Sequence, residues 1–125
     1  MLAADAVRRG LVAGVVCGAP SGMAWLAGRG EPFDATREIG RRLLGRPTLV
    51  AGGVAHLALS CAFALPLSTR ARVSPLAGAA YGAALYALNF RVLAPRLWPE
   101  VLAYDGPVQL FDHLAYGVAL ARRRR

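Results

Sequence analysis

Apolar residues along this chain gather into four long runs, 10–27, 49–67, 75–94 and 107–121, separated by short segments that collect the arginines, acids and turn formers. A helix needs about 20 predominantly apolar residues to cross a bilayer core at about 1.5 Å per residue. The first three runs reach that length and the fourth lies at its lower edge. The pattern predicts an all-α fold: a four-helix transmembrane bundle in which residues 1–125 form a single integral membrane domain. The polar segment 28–47 has a periodicity of its own. Asp34 suits a helix N-cap, Glu38 and Arg42 stand at i, i+4, and Phe33, Ile39, Leu43 and Leu44 supply an apolar side. A short interfacial helix lying on the membrane is expected there, with a partner-docking surface as its other use.

Within the first run Gly10, Gly14, Gly18 and Gly22 repeat at every fourth position, so one side of the helix allows another backbone to approach closely. A groove left open for a cofactor or lipid tail is the functional alternative. Pro20 withdraws a backbone donor and predicts a loosened ladder near the Val16 carbonyl and a kink, with Ser21 at hand to satisfy a freed group. Arg8 and Arg9 ahead of an apolar run also describe a secretory signal. Gly14-Val-Val-Cys17 departs from the lipoprotein pattern, however, and no clean small-x-small cleavage site follows, so a retained helix is expected. In the second run Gly53, His56 and Ser60 share a face, and Pro66 marks the end. In the third, Gly78 and Gly82 repeat the small-residue spacing, and Tyr86 and Asn89 continue close to that face. The first and third helices are therefore expected to pack through their glycines. Trp98 and Tyr104 anchor an interfacial loop, and Arg122 to Arg125 close the fourth run with charges whose stems can snorkel.

Four crossings joined by short connections alternate in direction, which makes the second and fourth helices parallel. His56 lies about seven residues into its run and His113 about six into its own, on the order of 10 Å below the same surface. Ser21 and Asn89, counted back from the exits of their helices, fall at nearly the same level. One polar layer of Ser21, His56, Asn89, Asp112 and His113 is expected, turned inward because ionisable groups in a bilayer are costly without partners. Asp112 and His113 point about 100° apart on a helix and reach different neighbours. Such a layer admits three uses: a hydrogen-bonded clasp of neutral histidines that fixes helix register, bis-histidine ligation of haem b, or a proton or metal-ion path through Asp112, His56 and His113. Adjacent Asp112 and His113 make a poor chelate, so no metal is assigned.

Composition supports the membrane class, since 56% hydrophobic content exceeds what soluble domains normally carry. Fifteen basic residues against seven acids would suggest nucleic acid in a soluble chain. Here the arginines cluster between apolar runs and suit anionic headgroups. The expected partners are membrane lipids and another membrane subunit or a second copy, and no nucleic acid. The absence of lysine accords with a GC-rich bacterial genome. Cys17 and Cys61 sit inside apolar runs as small hydrophobes. Ser21 has no nucleophile-elbow signature, no Walker or dinucleotide glycine pattern is present, and the cysteines lack zinc-site spacing. Hydrolase, kinase and nucleotide-binding classes are set aside, and no catalytic residue is assigned.

Gly18-Ala-Pro-Ser21, Arg46-Pro47, the stretch Gly52 to Ser60 with His56, and Asp112-His-Leu-Ala-Tyr-Gly117 together resemble a family of small uncharacterised four-helix bacterial integral membrane proteins of unknown function. The resemblance touches most of the chain. The third run departs from it, with Asn89 where such relatives would carry an acidic residue. It implies the four-helix membrane fold and brings no reaction with it. Arginines number eight on the side of the termini and the Arg70 turn and seven on the other, and the terminal cluster tips both ends toward the cytoplasm of a bacterial inner membrane. The expected role is a non-enzymatic accessory, scaffold or structural component, with a haem-bearing electron carrier or a proton- or ion-coupled transport component as the alternative.

Overall fold

A proline decides where the first helix divides. In the computed structural model, which describes residues 2–29, 32–70 and 72–121, α1 (Leu2–Val16) stops and α2 (Ala19–Leu26) restarts across Cys17 and Gly18. Pro20 has no N–H for the Val16 carbonyl, and its ring crowds that oxygen. Cys17 N still donates to the Ala13 carbonyl at 2.9 Å, whereas Gly18 N turns back to Val15 O at 3.3 Å. The helix also begins well ahead of Gly10, which brings Asp5, Arg8 and Arg9 inside α1.

The order continues with α3 (Pro32–Leu44), α4 (Leu49–Ser68), α5 (Pro75–Leu88), a π turn (Asn89–Leu93), α6 (Ala94–Leu97), a 3₁₀ turn (Pro99–Ala103) and α7 (Gly106–Ala119). The described fold is all-helical. Three N-caps are explicit: Thr48, Ser74 and Asp105 accept from the amides of Ala51, Ala77 and Val108 at 3.1, 3.1 and 3.2 Å. Asp34 is not the cap expected for α3. The helix starts at Pro32, so Asp34 lies in its first turn and pairs with Arg37 at 3.1 Å. Nor does Pro66 end α4, because a proline in the last turn removes one ladder bond without forcing the chain out of helix; Ser68 Oγ donates to Ala64 O and Thr69 Oγ1 to Pro66 O, each at 2.9 Å. In the third apolar run Pro95 cannot donate to the Arg91 carbonyl. The helix widens just before it, with Ala94 N donating to Asn89 O, and then runs on to Leu97.

Among the described residues two helices are long and apolar enough to cross a membrane, Leu49–Ser68 and the continuous Pro75–Leu97. The first apolar run is divided, and α7 has only 14 residues. The terminal cluster Arg122 to Arg125, expected to extend the fourth helix, lies outside the described residues.

Packing follows the glycines, though not between the partners the sequence suggested. α1 lies on α4, and α5 lies on α7. A Cβ on Gly10 would stand 2.5 Å from Cys61 Cα, and one on Gly14 would stand 2.7 Å from Ser60 Oγ. Gly78 and Gly82 instead back onto the carbonyls of Gly117 and His113, and Gly117 reciprocates against Gly78. A small-residue stripe states that some backbone comes close without stating which one. The choice is made by the second member of each contact, Gly117 on α7 and the Ser60–Cys61 backbone on α4. α3 is likewise seated against another helix rather than lying free on a surface: Gly40 stands over Gly52, which in turn faces the Thr36 carbonyl.

One buried arginine ties three helices together. Arg9 donates to the Leu120 carbonyl, to the Leu67 carbonyl at 3.3 Å and to Asp5 Oδ2 at 3.5 Å. The N-terminal part of α1 therefore lies beside the C-terminal ends of α4 and α7, where a cation meets their exposed carbonyls and dipoles favourably. Inside, small residues predominate, with Ala6, Ala13, Ala55, Ala64, Ala94, Ser60 and Ser68 buried, alongside Val73, Leu85, Trp98, Val101 and Tyr116. Leu120 is the largest fully buried side chain among the described residues. Large apolar side chains point outward, among them Val15, 71% exposed, and Leu26 and Leu76, each 80% exposed.

Candidate functional site

The break between α1 and α2 creates the first half of the site. It leaves the amide of Ser21, in the first turn of α2, without a regular ladder partner, and Asp112 on α7 supplies one: Oδ1 accepts from Ser21 N at 2.9 Å and Oδ2 from Ser21 Oγ. Both carboxylate oxygens accept, at a helix N-terminus where negative charge is favoured. The aspartate thus acts as a cap delivered from another helix.

The π turn creates the second half. Widening at Asn89 brings its Nδ2 to within 2.8 Å of His113 Nε2, while His113 Nδ1 lies 2.7 Å from the Gln109 carbonyl. A carbonyl only accepts, so Nδ1 carries the proton and Nε2 accepts from the asparagine, which is the neutral imidazole. The ring is boxed edge-on by Tyr86 and Phe90, with centroids 5.6 and 6.1 Å away. His56, on α4, has its Nε2 2.9 Å from the Gly14 carbonyl and by the same reasoning donates there. Cys17 Sγ donates to that carbonyl at 3.2 Å and lies 3.6 Å from the same imidazole nitrogen. Two tyrosines, Tyr116 and Tyr81, add ties to the α4 backbone by donating to Ser60 O at 2.5 Å and Phe63 O at 2.6 Å.

All five residues of the sequence-predicted polar layer, Ser21, His56, Asn89, Asp112 and His113, line one cavity of about 740 Å³. They meet as Ser21 with Asp112 and Asn89 with His113, while His56 joins a backbone carbonyl instead of either carboxylate or imidazole. The glycine stripe of the first run divides in function. Gly10 and Gly14 are packing positions, whereas a Cβ on Gly22 would meet nothing within 4 Å, and one on Gly18 only Val15 O at 3.6 Å. Gly14, Gly18 and Gly22 line the cavity, as does Gly53, which also faces open space.

The residues do not suit bis-histidine haem as they stand. Nε2 of each histidine is already engaged, one with Gly14 O and the other with Asn89, so ligation through those atoms would break both bonds and unseat Asn89. Among the described residues no group of three or more histidines, cysteines, aspartates or glutamates converges as a metal set. Asp112 and His113 diverge along α7 into their separate pairs.

Over one end of the cavity lies a charged cap that the sequence revealed only in part. Ile39 of α3 and Val101 of the 3₁₀ turn both contribute to the wall. Outside them Glu38 pairs with Arg41 at 2.5 Å and Arg42 at 3.0 Å, and Glu100 joins the same arginines at 3.2 and 2.5 Å. Hydrogen bonding from Arg41, joined by Arg42, pulls the Glu38 carboxyl down to about 2, and Glu38 pushes both guanidinium groups up in return. Burial, with Asp34, Glu38 and Glu100 nearby, pushes the Tyr104 phenol up. Arg29 to Asp105, at 2.5 Å, fastens the segment after α2 to the start of α7. The i, i+4 spacing of Glu38 and Arg42 was a visible signal; the reach of Glu100 across sequence was not. Arg9 was missed too, being read as a flanking charge.

Comparison with protein-family models, with curated proteins and with solved structures finds no match for this chain.

Proposed function

We propose that the chain is a small multi-pass protein of a bacterial cytoplasmic membrane, a non-enzymatic accessory or binding component whose four crossings are α1 with α2, α4, the continuous helix from α5 to α6, and α7. The observation that carries this reading is how side-chain size is distributed: most buried positions are alanine, glycine or serine, joined by a few large residues such as Leu85, Trp98, Tyr116 and Leu120, while many valines and leucines, with Phe33 and Phe111, are exposed. In water, large apolar side chains leave the surface because their burial is favourable. In lipid that driving force between helices vanishes. Close approach of small-residue faces and interhelical hydrogen bonds then hold the bundle, as Gly78 on Gly117 and the pairs Ser21–Asp112 and Asn89–His113 do here. The resemblance to small four-helix membrane proteins points the same way. Within this reading the polar layer is a register-fixing clasp that also walls a cavity, and the termini face the cytoplasm.

Two measurements test the proposal. Alkaline carbonate washing of membranes from expressing cells should leave the chain in the pellet, and recovery in the supernatant would overturn it. A reporter fused after Arg125 should be active only in its cytoplasmic form, and periplasmic activity would reverse the orientation.

A further inference from the structure

We infer that the cavity binds an amphipathic monocation, a protonated or quaternary amine carrying an apolar body, with Asp112 as its counter-ion; the inference rests on the membrane reading, because only away from water does this carboxylate need one. At about 740 Å³ the space falls within the usual range of small-ligand pockets, about 300–1,000 Å³. Among the described residues its wall carries one carboxylate. Of the described residues that line it, Asp112 is the only acidic one and none is an arginine, and the hydrogen bonds of His113 leave that imidazole neutral. Ser21 steadies the carboxylate through two donors but brings no positive charge. A carboxylate at an apolar cavity with no arginine among its described lining residues suits a cation from outside.

Shape and wall chemistry agree with that charge. Gly18, Gly22 and Gly53 hollow the space without a packing need for their lack of a side chain, since no helix presses on them. Trp25, Phe33 and Trp98 also line the cavity, which places aromatic rings for a cation and apolar area for its body around the space.

Both tryptophans of the chain line the cavity, so intrinsic fluorescence of the detergent-purified protein reads occupancy without a label. The probe is tetraphenylphosphonium, with tetraphenylborate as an anion of the same shape. Tetraphenylphosphonium should give a saturable fluorescence change and tetraphenylborate a far weaker one. Asp112→Asn, which keeps an acceptor for Ser21, should weaken the cation by about tenfold or more and leave the anion little changed. Gly22→Leu fills open space and should abolish binding with the circular dichroism and melting temperature retained. Equal binding of the two probes, no binding of the cation, or cation affinity that survives either Asp112→Asn or Gly22→Leu would overturn the inference. Should Asp112→Asn fail to fold, Gly22→Leu and Gly53→Leu decide alone. A chain that resists carbonate yet shows no charge preference overturns this inference only; release by carbonate overturns the reading beneath it.

Discussion

Asp112 and Ser21 are ninety-one positions apart, yet each makes sense only through the other: the proline that breaks the first helix leaves an amide free, and the aspartate accepts from it. Removing the acceptor is therefore costly in a way that removing an exposed carboxylate is not. Asp112→Ala should lower stability by about 1–3 kcal/mol, because the Ser21 amide and hydroxyl lose their partner in an apolar setting. Asp112→Asn should cost less, and melting in detergent compares the two. Asn89→Leu makes the parallel case, leaving His113 Nε2 without its donor, and should likewise lower the melting temperature. Part of this chemistry was readable in the chain. Helix rise alone put Ser21, His56, Asn89, Asp112 and His113 at one level, and angular spacing separated Asp112 from His113. Which partner each would take was not readable. His56 turned to the Gly14 carbonyl, a backbone group that no side-chain pattern advertises.

Elements were legible where local chemistry sets them and obscure where contact with a distant segment does. Pro20 announced the division of α1 from α2. The π turn needed both Pro95 and the demand of His113 for a donor at Asn89. The glycine stripes named a close approach without naming the partner, so α1 went to α4 and α5 to α7. Substitution should expose the difference between stripes: Gly78→Val meets the Gly117 carbonyl and should destabilise by about 1–3 kcal/mol or more, whereas Gly53→Val meets open space and should be nearly neutral. Thermal melting of the pair reads this contrast. The cap of α3 and the 3₁₀ turn should respond to acid. Glu38 lies at about 2 when folded, below its ordinary value of 4.5, so its contribution is fully present above pH 4.5 and fades as pH falls toward 2. Melting temperature should drop across that window, and Glu38→Gln should flatten the drop.

For the whole molecule the decisive feature is that ordinary core logic is turned outward. Most buried positions are alanine, glycine or serine, with a few large residues such as Leu85, Tyr116 and Leu120 among them, while many valines and leucines are exposed; lipid, and not water or a partner's polar surface, is therefore expected to cover Val12, Val54 and Phe111, each more than half exposed. The long apolar runs suggested as much, but only the folded chain separates an apolar helix buried in protein from one facing out. Arg9, gathering the ends of α4 and α7, then fixes how the helices stand together, and its effect belongs to the bundle rather than to α1 alone. The most direct test places a nitroxide singly at Val12, Val54 and Phe111, with Cys17 and Cys61 replaced by alanine, and measures collision with oxygen and with a water-soluble nickel complex in reconstituted bilayers. High oxygen and low nickel accessibility are expected at all three positions; nickel accessibility equal to that of an aqueous label would refute a lipid-covered exterior.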